Sequence, residues 1–169
     1  MPRTRLIALA CAVMLGLTAS PASADVAKGD WELSPSSPIT APAGVRCAFA
    51  VQIEQAVDRV RTRVLATYPD GSVKRREFAG PLVDTVTNMA TGESINVNAS
   101  GHATIDYNPD GSQTWNWAGP VLMGFALGQS NHAPSLYLLT GNYTVDISAS
   151  GRTVRAARGT ELDLCAALS

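Results

Sequence analysis

The strongest constraint on this chain is a tetrapeptide, Pro-Asp-Gly-Ser, that recurs forty residues after its first appearance. Tyr68-Pro69-Asp70-Gly71-Ser72 is followed by Gly80-Pro81-Leu82, and Asn108-Pro109-Asp110-Gly111-Ser112 is followed by Gly119-Pro120-Val121. Proline presets φ for the first turn position, aspartate is tolerated at the second, and glycine takes the left-handed conformation. The combination specifies a three-residue hairpin loop with a bulge. Each unit reads as strand, tight turn, strand, Gly-Pro break, strand. Two such meanders around one core predict an antiparallel β domain.

The turn also fixes a register. With Asn108 opposite Ser112, Ile105 pairs with Trp115 and Ala103 with Trp117. One face of the second hairpin then carries Ala103, Ile105, Tyr107, Trp115 and Trp117, and the other carries His102, Thr104, Asp106, Thr114 and Asn116. The indole face is expected to be buried. The same rule sets Arg63 opposite Glu77 in the first hairpin, a cross-strand pair worth roughly 0.2–1 kcal/mol.

Further β-favouring runs, bounded by turn residues, are Val45–Ile53, Val60–Tyr68, Ser72–Ala79, Leu82–Met89, Glu93–Asn98, His102–Asn108, Ser112–Ala118, Val121–Leu127, Ser135–Leu139, Tyr143–Ala149 and Arg152–Ala157. Short strands at this spacing belong to sandwiches and barrels. Ile53, Ala56, Val57, Val60 and Val64 also match a helical period. A strand is favoured there because Val60, Val64 and Tyr68 share one parity and Arg59, Arg61 and Arg63 the other. The expected fold is therefore all-β, an antiparallel meander closing into a small β-barrel, since closure removes exposed strand edges. The tail Thr160–Leu168 is expected to be a short helix or an extended segment that brings Cys165 against Cys47.

The N-terminus reads as an export signal. Arg3 and Arg5 precede an apolar run from Leu6 to Leu17, and Ala22-Ser23-Ala24 supplies the small-x-small cleavage pattern. The run is far shorter than the roughly 20 residues of a spanning helix, so no stable membrane anchor is expected after cleavage at residue 24. Cys11 lies inside the run and reads as one of its small apolar residues. Residues 25–44 are rich in Pro and Ser and are expected to form an extended leader with local order around Trp31. The single folded domain is then 45–169. The whole chain has a formal charge of −1, and loss of the signal removes two arginines and no acid. Such a balance gives no electrostatic footprint for nucleic acid. Outside the cytosol the remaining cysteines, Cys47 and Cys165, are expected to be bridged. There is no Cys-x-x-Cys to lower a thiol pKa. All of this predicts a secreted, extracellular protein.

Candidate sites are few. Asp106, Asn108 and Asp110, followed by Gly111, match the opening of a calcium loop. The twelfth position is Trp117 instead of glutamate, however, and strands flank the loop, so a hairpin turn is the favoured reading. His102 and Asp106 lie four residues apart on one strand, roughly 13 Å between Cα atoms, too far to touch. His132 falls in the loop Gly128-Gln129-Ser130-Asn131-His132-Ala133-Pro134 and is read as a solvated loop histidine. The basic residues Arg59, Arg61, Arg63, Lys74, Arg75 and Arg76 read as a local positive patch across the first hairpin or, the favoured reading, as solvated edge protection. No nucleophile elbow, zinc-ligand spacing or phosphate-binding glycine loop is present, and no cofactor is implied.

The twin Pro-Asp-Gly-Ser and Gly-Pro units, Thr87-Asn88 with Thr91-Gly92, and the closing Asp163-Leu164-Cys165-Ala166-Ala167-Leu168 resemble a group of small secreted proteins from actinobacteria, over roughly residues 45–169. The resemblance implies a β-barrel of the lipocalin-like or allene-oxide-cyclase-like sort and transfers no activity. The function expected first is a non-catalytic barrel binding a small apolar ligand or a surface partner, with Trp115, Trp117, Ile105 and Tyr107 as its inner wall. The alternatives are an extracellular enzyme using Asp84, Asn88, His102 or Asp106 at the barrel mouth, and a purely structural or inhibitor-type interaction protein with an exposed apolar patch.

Overall fold

The computed structural model describes residues 29–169; the expected signal, residues 1–24, lies outside them. In chain order the elements are β1 (Glu32–Leu33), β2 (Ile39–Ala41), β3 (Val51–Asp58), β4 (Arg61–Thr67), β5 (Val73–Ala79), β6 (Leu82–Asn88), β7 (Ser94–Asn98), β8 (His102–Tyr107), β9 (Gln113–Phe125), β10 (Ser135–Ser148), β11 (Gly151–Asp163) and α1 (Leu164–Ala167). The fold is all-β and antiparallel. Seven strands form one sheet, in the order β1-β4-β5-β8-β9-β10-β11, and four form another, β2-β3-β6-β7. Among the described residues no helix is long and apolar enough to cross a membrane.

Both Pro-Asp-Gly turns form as the sequence specifies. Tyr68 N–H donates to the Ser72 carbonyl and Asn108 N–H to the Ser112 carbonyl, each at 2.8 Å. Ile105 pairs with Trp115 and Ala103 with Trp117. Arg63 stands opposite Glu77. The segment with ambiguous periodicity is strand over Val51–Asp58.

The Gly-Pro breaks behave differently from simple strand ends. Gly80-Pro81 separates β5 from β6, and only two residues, Arg59 and Val60, separate β3 from β4. At these points the ribbons pass from one sheet to the other. Farther along the meander, β9 continues through Gly119-Pro120 and β10 and β11 run through Gly141 and Gly159. Gly141 is the register partner of both Gly119 and Gly159, so three glycines form a row across three strands. The row is obligatory at Gly141: its φ is 135°, and a Cβ there would collide with the Arg158 carbonyl oxygen. Four of the expected short strands therefore fuse into two long ones, and the tail helix shrinks to four residues because β11 extends to Asp163.

Closure into a barrel is not observed. The seven-stranded sheet ends at β1 and β11, and the four-stranded sheet ends at β2 and β7. The physical reason is the division of the meander at Arg59-Val60 and Gly80-Pro81: β3, β6 and β7 lie in the smaller sheet, while β4, β5 and β8 to β11 lie in the larger. The Pro/Ser-rich segment supplies two strands, with β1 pairing along β4 and β2 along β3. Trp31 lies 4.5 Å from the Arg63 guanidinium carbon, a cation–π contact.

Two apolar cores result. One packs Val51, Ile53, Val86 and Val97 of the smaller sheet against Leu122, Leu136 and Leu138 and the tail residues Leu164 and Leu168. The other gathers Trp117, Met123, Phe125, Tyr137, Leu139, Tyr143 and Val145. Neighbouring residues of β9 and β10 thus serve opposite cores, which explains their continuous apolar runs. Cys47 and Cys165 are bridged across a sequence separation of 118, with Cα atoms 5.3 Å apart. Asp163 caps α1 by accepting from Ala166 N–H at 3.0 Å, and Asn88 donates to the Leu168 carbonyl at 2.8 Å. These bonds hold the tail over the first core.

Candidate functional site

A cleft of about 630 Å³ opens between the sheets. Ala103, Ile105 and Tyr107 of β8 and Gln113 and Trp115 of β9 line one side, all on a single face because side chains alternate along a strand. Ile53 and Gln55 of β3 and Leu82 and Asp84 of β6 line the other, and Leu122, Met123 and Leu136 contribute from the long strands. Residues Ser34–Ser36 and Ile39 of the N-terminal segment border it as well. The Trp115 indole N–H donates to Gln113 Oε1 at 2.7 Å, which orients the ring. The Tyr68 hydroxyl donates to the Tyr107 carbonyl at 2.8 Å and ties the two hairpins together. Burial raises the pKa of Tyr107, partly offset by the positive charge of Arg76.

Three of the four residues expected to form the inner wall, Ile105, Tyr107 and Trp115, line this cleft. Trp117 does not. It is 3% exposed and packs in the second core against Tyr143, with ring centroids 5.9 Å apart and its indole N–H unpartnered. Its parity is that of Trp115, but its register partner on β10, Tyr143, stacks against it.

The cleft is not wholly apolar. Asp84 is 4% exposed and accepts from Gln55 Nε2 at 3.4 Å. Burial raises its pKa, Gln55 opposes the shift, and the negative charge of Asp58 adds to it. Arg46 and Arg152 line both the cleft and a second cavity of about 280 Å³. Arg152 Nη1 donates to the Gly124 carbonyl, and the Arg46 side chain lies where a Cβ on Gly124 would be. Among the described residues neither guanidinium pairs with a carboxylate. Burial lowers the pKa of Arg152, and the neighbouring charge of Arg46 adds to that effect. Sequence reasoning missed both arginines. A signal existed for Arg152, which shares parity with Val154 on the inward side of β11 opposite Ile147.

The residues considered for catalysis are dispersed. Asp84 lies in the cleft, but Asn88 is occupied by the Leu168 carbonyl and the Ala90 N–H. His102 and Asp106 alternate with the cleft-lining residues of β8 and so face the opposite side of the sheet. There Glu77 lies 2.6 Å from His102 Nε2 and 2.5 Å from Arg63 Nε. Burial acts to raise the pKa of Glu77, but hydrogen bonds from His102 and Arg63 outweigh it and lower the value. A histidine and a carboxylate do meet, but away from the cleft. His132 also differs from expectation. Instead of standing in solvent it stacks on Phe125 at 4.5 Å, meets Tyr137 edge-on at 4.9 Å, and lies 3.1 Å from Glu161 through Nε2.

The residues considered for calcium have other partners. Both carboxylate oxygens of Asp106 accept from Arg75, Asn108 Nδ2 donates to Ser112 Oγ, and Asp110 Oδ1 accepts from the Ser112 N–H and hydroxyl. A guanidinium on Asp106 opposes a cation there. The basic residues of the first hairpin do not make one patch, because Arg63 and Arg75 are each paired with an acid and Arg76 has the opposite parity, its Nε buried without a partner.

No known family model matches the chain, and no curated protein or solved structure is significantly similar to it.

Proposed function

We propose that this is an exported, non-catalytic binding protein whose inter-sheet cleft takes one small, largely apolar molecule. The observation that carries the reading is the cleft of about 630 Å³, within the usual range of small-molecule sites and lined by apolar side chains from both sheets with a few polar groups among them. Lipocalin-like carriers work in this manner from a closed barrel; here two open sheets would take its place. Export rests on the N-terminal leader pattern and agrees with the Cys47–Cys165 bridge.

Titration with the neutral dye Nile red tests the proposal. One saturable site is expected, with quenching of tryptophan emission. Ala103→Phe, which fills the cleft beside Ile105, and Trp115→Ala, which removes its aromatic wall, are each expected to weaken uptake about tenfold or more. Near-ultraviolet circular dichroism verifies that the variants are folded. Absence of saturable uptake by the native protein, or unchanged uptake by both folded variants, overturns the reading.

A further inference from the structure

Arg46 and Arg152 come from opposite ends of the domain, one beside Cys47 and the other at the start of β11. They converge on Gly124, the one β9 residue between Met123 and Phe125 that offers no side chain. Each is only partly exposed, and both line the large cleft and the smaller cavity. Two like charges drawn together out of water are unfavourable unless an anion accompanies them. Arg152 gives one N–H to the Gly124 carbonyl, which leaves most of its five donors uncommitted. Asp84, the one carboxylate on the cleft, has Gln55 as its hydrogen-bond partner and pairs with neither arginine.

We infer that Arg46 and Arg152 form a head-group site for a carboxylate, and that the cleft's ligand is an amphiphile with an aliphatic tail lying along Ile105 and Trp115. This inference rests on the reading of the cleft as a binding site and specifies its ligand class. Planar guanidinium forks match the two oxygens of a carboxylate, and the match strengthens where water is excluded. An anion at this point offsets the repulsion between the two cations. The tail finds apolar surface on both sheets, as a uniformly polar anion would not. The smaller cavity, edged by Gln129 and Ser148 as well as the arginines, provides polar surface beside the head group.

The test uses two ligands with the same tail, dodecanoate and dodecanol, titrated by calorimetry into the full disulfide-bonded protein above the pKa of the fatty acid. Dodecanoate is expected to bind at least about tenfold more tightly than dodecanol. The double variant Arg46→Gln/Arg152→Met is expected to abolish that preference, dodecanoate losing at least about tenfold more affinity than dodecanol does. Arg46→Gln alone, which removes no side-chain hydrogen bond among the described residues, is expected to reduce the preference and guards against unfolding of the double variant. Binding of dodecanol with no preference for dodecanoate overturns the head-group site and leaves the apolar cleft standing. A preference that survives in Arg46→Gln and in the folded double variant overturns it as well. Failure of both ligands and of Nile red to bind overturns the cleft reading itself, and the head-group site with it.

Discussion

Asp84 occupies a central position on β6, buried with a glutamine amide as its hydrogen-bond partner and, among the described residues, no ion pair, so its charged form is disfavoured in the folded chain. The folded state therefore binds the Asp84 proton more tightly than the unfolded state does. Its contribution to stability is complete below the ordinary carboxylate value of 3.8 and is lost as pH rises through the raised folded value. Glu77 acts with the opposite sign, because His102 and Arg63 lower its pKa and its stabilisation disappears as pH falls. Asp84→Asn separates the two. The variant is expected to be more stable than the native protein at neutral pH by about 1 kcal/mol, with the gain vanishing as pH approaches the ordinary carboxylate value. Urea denaturation of both proteins across that pH range provides the measurement; a gain that does not depend on pH would remove burial of the charge as the cause.

At the scale of strands, the glycine row lets β10 and β11 approach closely where Gly141 stands opposite Gly159. Gly141→Ala forces a side chain onto the Arg158 carbonyl at a φ of 135° and is expected to cost about 2–4 kcal/mol. Gly111→Ala, at a φ of 82° in a turn where a Cβ meets only open space, is expected to cost about 1–2 kcal/mol. Paired denaturant titrations give the comparison, and equal losses would show that backbone conformation matters and the close approach of β10 to β11 does not. Hairpin registers were legible in sequence because a turn's chemistry is local. The Gly-Pro pairs were legible as interruptions, but whether a strand stops or bends there depends on the strands beside it. Gly141 and Gly159, with no proline to mark them, could be recognised only once they stood next to Gly119.

For the molecule as a whole, one covalent link spans nearly the entire domain. The Cys47–Cys165 bridge closes a loop with a sequence separation of 118, which corresponds to about 4–5 kcal/mol in the chain-entropy model. It also holds Leu164 and Leu168 against Val51, Ile53 and Val86. Cys47→Ser/Cys165→Ser is expected to lower the unfolding free energy by several kcal/mol, roughly 2–5, with the β-sheet circular dichroism spectrum retained. A loss below about 1 kcal/mol would mean that the apolar contacts of the tail alone keep it in place.

Taken by itself, the sequence determined which residues turn, which face of the second hairpin turns inward and which cysteines pair, because each follows from neighbours along the chain or from there being two cysteines outside the expected export signal. It placed Ile105, Tyr107 and Trp115 on one face for the same reason. The tertiary structure decided that the meander splits into two open sheets, that Trp117 is sealed off beneath Tyr143, and that Arg46, Asp84 and Arg152 share one cleft. Those outcomes depend on the crossing of segments far apart in sequence, where the side chain that covers a residue is supplied by a strand that no local pattern identifies.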